Sequence, residues 1–114
     1  MKNIDKFQEE RNRLNKILGN SENLVIKRFL NLDHKVYQES ALSCLTKEMI
    51  GLAASLVLRC DDCINYHLLQ CHKNGMTTKE LEEVTAIALI VGGSITIPHI
   101  RRMLDNWEQI REKE

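Results

Sequence analysis

Two thiols and one imidazole fall within a short stretch of this chain: Cys60, Cys63 and His67, inside Arg59 to Gly75, RCDDCINYHLLQCHKNG. On a helix, positions i, i+3 and i+7 share a face, so the three groups would line a single stripe. Cys63 and His67 are i, i+4 neighbours with Cβ atoms roughly 6 Å apart, and the imidazole reaches that sulfur directly or through one water. Cys60 lies beside Cys63 but too far along the helix to use the ring directly. The asymmetry marks Cys63 as the activated thiol and Cys60 as its disulfide partner. A CxxC at a helix start suits dithiol–disulfide exchange, because the sulfurs come within bonding reach while the N-terminal one stays accessible. One thiolate attacks an electrophilic oxygen or sulfur, and the second cysteine resolves the product as an intramolecular disulfide.

Glu48 stands twelve positions before Cys60, on a helix that packs close by if the connection is short. A carboxylate beside the imidazole orients it and holds its proton. The same residue types also suit zinc, since Cys60, Cys63, His67 and Cys71 or His72 are all acceptable ligands. On a regular helix Cys71 is about 16 Å from Cys60, and no second CxxC or HxxxH cluster completes a four-ligand set. Ile64 in place of histidine after the second cysteine excludes a haem attachment site. Taken singly, each cysteine reads as a small core hydrophobe and each histidine as a satisfied core residue; the trio with Glu48 outweighs that. Cys44 and Cys71 read as buried or interface thiols. His72 beside Lys73 reads as solvent-facing, and Met49, Met76, Met103 and Trp107 as core or interface packing. His99, beside Arg101 and Arg102, either lines a pocket or makes a surface pair.

The elements that must position these groups are helices. Ile4, Phe7, Leu14, Ile17 and Leu18 form an intermittent apolar stripe over about residues 3 to 18, stopped by Gly19 and Asn20. Ser21 can cap a second helix through Leu24, Val25, Phe29 and Leu32, ending near residues 38 to 41. Thr46 caps a third, opened by Glu48 and apolar nearly all round from Met49 to Val57, hence central and buried. A break at Arg59 to Asp61 precedes the dithiol helix. If Cys60 is near its N-cap, Cys63 lies in the first turn, where backbone N–H groups favour a thiolate while Asp61 and Asp62 oppose it. Gly75 suits the C′ position. Thr77 and Glu80 have capping-box spacing for a fifth helix ending at Gly92 and Gly93. Ser94 or Thr96 caps the last, which accepts Pro98 in its first turn and runs on through Ile110.

Composition agrees. The 114 residues are 43% hydrophobic, 28% charged and only 4% aromatic, with one proline. That is the make-up of one all-α domain spanning residues 1–114, a bundle of five or six helices. Lys plus Arg and Asp plus Glu balance at 16 each and are mixed along the chain, so there is no footprint for nucleic acid or an acidic membrane. The charged N-terminus carries no apolar run of signal-peptide length, and Met49 to Leu58 is half what a bilayer span needs. A cytoplasmic location is expected, where a CxxC is redox-active or metal-binding more often than structural.

Read together, Glu48, Cys60, Cys63 and His67 match the pattern E-x(11)-CxxC-x(3)-H. The surrounding LTKEMIGLAASLVLRCDDCINYHLLQCHKNGMTTKELEEVTAIALIVGG adds a Gly-Met-Thr turn and a Gly-Gly helix end in order. The chain thereby resembles the AhpD-like alkylhydroperoxidases of the carboxymuconolactone decarboxylase superfamily, well from Leu45 to about Ile110 and weakly over the first forty residues. The resemblance implies an all-helical fold, reduction of small hydroperoxides at the dithiol and re-reduction by a lipoylated or thioredoxin-like protein. It further implies Cys63 as the peroxidatic thiol, Cys60 as the resolving one, and His67 with Glu48 as the proton relay, with neither metal nor organic cofactor. Family members assemble as trimers or hexamers, so a homo-oligomer is expected. Characterised peroxidases can carry a histidine just before the second cysteine, where this chain has Asp62; general disulfide oxidoreductase activity therefore stands beside peroxide reduction. From a different class, the alternative is a non-catalytic zinc-stabilised or oligomeric interaction domain.

Overall fold

Side-chain caps set where most of the helices begin. In the computed structural model, which describes residues 2–114, the order is α1 (Asn3–Gly19), α2 (Leu24–Val36), α3 (Cys44–Leu58), α4 (Asp61–Lys73) and α5 (Thr78–Gly92). A single 3₁₀ turn, Ser94–Thr96, then leads into α6 (Ile97–Arg111). The expected all-α bundle is therefore a bundle of six helices, with no strand among the described residues. The capping box of Thr77 and Glu80 forms as predicted, each side chain accepting from the other's backbone N–H at 3.1 and 2.8 Å. Two other caps fall elsewhere. Asn23, not Ser21, caps α2, accepting from the N–H of Ile26 at 3.1 Å. Ser43 caps α3 and Thr46 is the residue it caps, so Glu48 sits in the second turn. Both substitutes are polar residues within three positions of the expected cap, a difference that local sequence does not resolve.

The core forms where α3 lies between α4 and α5, with α6 on α4 and α1 closing over both α4 and α6. Leu52 and Leu56 of α3, Ile64 and Leu68 of α4, and Leu81 of α5 are all essentially inaccessible. Each such side chain stabilises the fold by about 1.5–3 kcal/mol through removal from water. Trp107 of α6 is buried among them, and its indole Nε1–H donates to Thr78 Oγ1 at 3.0 Å. The methionine expectation holds: Met76 and Met103 are buried and Met49 packs on the core.

Two apolar stripes do not go where amphipathicity sent them. α2 has no extensive contact with any other helix, and Leu24, Val25, Phe29 and Leu32 are all more than half exposed. α3 is central but not buried all round, since Ile50 and Leu58 reach solvent. Periodicity identifies a face that wants covering; it does not say that the same chain covers it.

Between α3 and α4 the chain turns in two residues. Arg59 adopts the left-handed conformation, φ 58° and ψ 43°, and its N–H bonds Leu56 O while that of Cys60 bonds Ser55 O, both at 3.1 Å. This is a Schellman turn with a non-glycine residue at the position glycine usually fills. It ties the start of α4, and with it Cys60, to the end of α3. An L-residue in this conformation is strained by roughly 1 kcal/mol. Arg59→Gly is therefore expected to raise unfolding stability by about 0.5–1 kcal/mol. Urea denaturation checks this; a loss of stability would show that the Arg59 side chain makes a compensating contact.

Candidate functional site

Helix geometry and the short turn together bring the four motif residues to one place. Cys60 is the N-cap of α4, its Sγ accepting the N–H of Cys63 at 3.3 Å. Cys63 thus occupies the third helical position, the first-turn placement that the sequence suggested. The two form a disulfide across a Cα–Cα distance of 5.3 Å. Cys63 is exposed and Cys60 half-buried, so as whole residues the second cysteine is the more accessible one. The Cys60 sulfur is held at the helix start by its capping bond, and Cys63 lies on an exposed part of the first turn.

One turn further on, His67 meets α3. Its Nδ1–H donates to Glu48 Oε1 at 2.7 Å, and the Glu48 side chain is only 3% exposed. A carboxylate buried to this extent demands a hydrogen-bonding partner, and a bond at Nδ1 leaves Nε2 as the ring nitrogen that takes up or releases a proton. Gly51, one turn after Glu48, makes the close approach possible. A Cβ there would lie 2.8 Å from His67 Cε1, 3.0 Å from Nδ1 and 3.0 Å from the Tyr37 hydroxyl.

Two tyrosines flank the imidazole, Tyr37 at 5.3 Å and Tyr66 at 5.1 Å between ring centroids. Burial, reinforced by the Glu48 carboxylate, pushes both phenols above their usual range, so they stay protonated at neutral pH. Arg11 of α1 stacks on Tyr66, its guanidinium carbon 4.0 Å from the ring centroid. Arg11, Asp33, Asp62, Cys63, Tyr66 and His67 line an open cleft of about 270 Å³. Tyr37, Tyr66, Gly51, Arg11 and Asp33 were not singled out from sequence. Tyr66 had a usable signal, lying three positions after Cys63 on the same helical face. Arg11 and Asp33 had none, being distant in sequence.

The remaining candidates lie elsewhere. Cys71 is fully buried, and burial with Glu48 and Cys44 nearby pushes its thiol up to about 12, so it stays protonated and inert. Among the described residues no three His, Cys, Asp or Glu side chains converge to hold a metal ion, and the proposed zinc ligands are dispersed along α4. His99 makes the surface pair: its Nδ1–H donates to Asp61 Oδ1 at 2.7 Å, and Arg102 Nε donates to Asp61 Oδ2 at 3.2 Å. It also lines a polar depression beside Asn65 and Asn106, so both readings of His99 apply. His72 is half-buried, not solvent-facing, with its ring edge on Trp107 and Nε2 at 2.6 Å from Glu114 Oε1. Cys44 is partly exposed at the start of α3.

Residues 24–106 match the family model described as the carboxymuconolactone decarboxylase family. An uncharacterised protein of Cupriavidus necator is 31% identical over 76 residues, 67% of each chain. One from the cox locus of Paracoccus denitrificans is 27% identical over 82 residues, 72% of this chain and 74% of its own. A crystal structure of a carboxymuconolactone decarboxylase family protein of Thermotoga maritima, for which an antioxidative role has been suggested, superposes with TM-score 0.89 at 50% identity. The match covers 94% of this chain and 91% of that one. A Legionella pneumophila family protein shares the fold, with TM-score 0.84 at 22% identity over 93% and 95% of the two chains. The helical architecture and the family model agree, and this chain belongs to the carboxymuconolactone decarboxylase family.

Proposed function

We propose that the chain is a thiol-dependent peroxidase acting on small organic hydroperoxides, with Cys63 as attacking thiol, Cys60 as resolving thiol, and His67 and Glu48 as proton relay. The observation that carries this reading is the His67–Glu48 bond set one turn from an exposed cysteine already paired with its neighbour. The antioxidative role suggested for the Thermotoga maritima relative points the same way.

The steps balance without a cofactor. In the reduced protein His67 accepts the Cys63 proton, and the thiolate attacks the outer peroxide oxygen. The O–O bond breaks, Cys63 becomes a sulfenic acid, and the alkoxide leaves as alcohol with the proton from His67. The Cys60 thiol then attacks the sulfenic sulfur, releasing water and forming the disulfide. A partner dithiol, lipoylated or thioredoxin-like, restores both thiols and is itself oxidised to a disulfide. Asp62 in the same cleft favours a second reading, disulfide exchange with no peroxide step. The uncovered apolar face of α2 supports a homo-oligomer as the working form.

Stopped-flow oxidation by cumene hydroperoxide, with thiols counted before and after, tests the reading. Rapid loss of two thiols per chain is expected. A rate no faster than that of a free thiol would leave disulfide exchange in its place. Cys63→Ser should abolish the reaction, whereas Cys60→Ser should leave a sulfenic acid that a dimedone probe traps; the reverse pattern would exchange the two roles. His67→Ala should slow oxidation at neutral pH by about 10²-fold or more, the contribution typical of a positioned base. Gly51→Ala displaces the ring without removing it and should cost up to about 10²-fold. An unchanged rate in His67→Ala would remove the imidazole from the mechanism.

A further inference from the structure

The cleft holds one charged group that the proposed chemistry leaves unused. Arg11 belongs to α1, ahead of residues 24–106 that match the family model. Among the described residues it has no carboxylate at ion-pair distance, although its neighbours Glu10 and Arg13 pair with each other. Its guanidinium is held instead over the ring of Tyr66, one turn after Cys63 on the same face of α4. Arg11 therefore stands at the cleft that Cys63 and His67 line. It also lines a neighbouring depression of about 350 Å³ with Phe7 and Leu14, and Asp62 is shared by both.

The charges around Cys63 explain why a cation there matters. From α2 comes Asp33, and from α4 itself Asp62, both lining the cleft, and among the described residues neither carboxylate has an ion-pair partner. Glu48 of α3 acts through its bond to His67. On the α6 side, His99 and Arg102 are engaged by Asp61. Among the described residues lining the cleft, Arg11 is the one permanently cationic side chain, His67 carrying charge only when it holds the Cys63 proton. We propose that Arg11 is a positioning residue for the reduced dithiol: held over Tyr66, it offsets Asp62 and Asp33 and keeps Cys63 available as a thiolate. The role rests on Cys63 being the attacking thiol, as set out above.

Alkylation tests this without any peroxide. In the Cys60→Ser background, the rate at which iodoacetamide modifies the Cys63 peptide, read by mass spectrometry across pH, reports the thiolate fraction. Arg11→Met keeps an unbranched apolar side chain against Tyr66 but removes the charge. It should raise the titration midpoint by about 0.5–1 unit, slowing alkylation at pH 7 roughly three- to tenfold. Arg11→Lys should keep most of the wild-type midpoint, Asp62→Asn should lower it, and added salt should shrink the Arg11→Met difference. An unchanged midpoint in Arg11→Met, or an equal shift in Arg11→Lys, would overturn the proposal. An Arg11-dependent midpoint in a protein inert to hydroperoxide would sink the peroxidase reading and leave Arg11 in place. Fast peroxide reduction with a midpoint indifferent to Arg11 would do the opposite.

Discussion

The bond between Glu48 and His67 is the constraint around which the molecule is built. A carboxylate only 3% exposed is costly to hold unless a donor meets it, and the donor comes from a different helix. That requirement sets the distance between α3 and α4, and Gly51 makes it attainable by presenting no side chain where the ring must lie. The Schellman turn at Arg59 fixes the relation from the other end, bonding the first residue of the dithiol motif back to Ser55. Burial of Leu52 and Leu56 against Ile64 and Leu68 holds the two helices together between these points.

The dithiol is presented on this frame in two unequal halves. The Cys60 sulfur serves as a helix cap on a half-buried residue, whereas Cys63 opens to the cleft beside His67. Below them Asp61 is held by His99 and Arg102 from α6, so the start of α4 is braced from a second direction. One cysteine sits with His67 at the cleft while the other sits at the helix cap. Such a division suits a site whose two sulfurs have different tasks.

The first two helices have a different character. The N-terminal part of α1 belongs to the core through Ile4 and Phe7 and delivers Arg11 to the cleft. Beyond it, Leu14, Ile17 and Leu18 are exposed, and α2 turns an almost continuous apolar face outward. α2 nevertheless contributes Asp33 to the cleft and Tyr37 beside His67. A segment with few contacts to the rest of the bundle thus carries groups that stand next to the imidazole.

By itself the sequence determined the helices and which four motif residues come together. The spacing of Cys60, Cys63 and His67 on a period of 3.6 needs no tertiary information, and neither does the capping box at Thr77 and Glu80, because both are interactions within a turn or two. Glu48 was legible because a short connection between two helices leaves few ways to place its carboxylate. Tertiary structure alone decided what depends on distant segments and on solvent. Arg11 and Asp33 enter the cleft from helices far along the chain, and Gly51 matters only because a ring from α4 fills the space above it. Which cysteine is the more exposed, and which apolar stripe finds a partner, follow from where neighbouring helices exclude water. Periodicity cannot carry that information, since it records which face is apolar and not what lies against it.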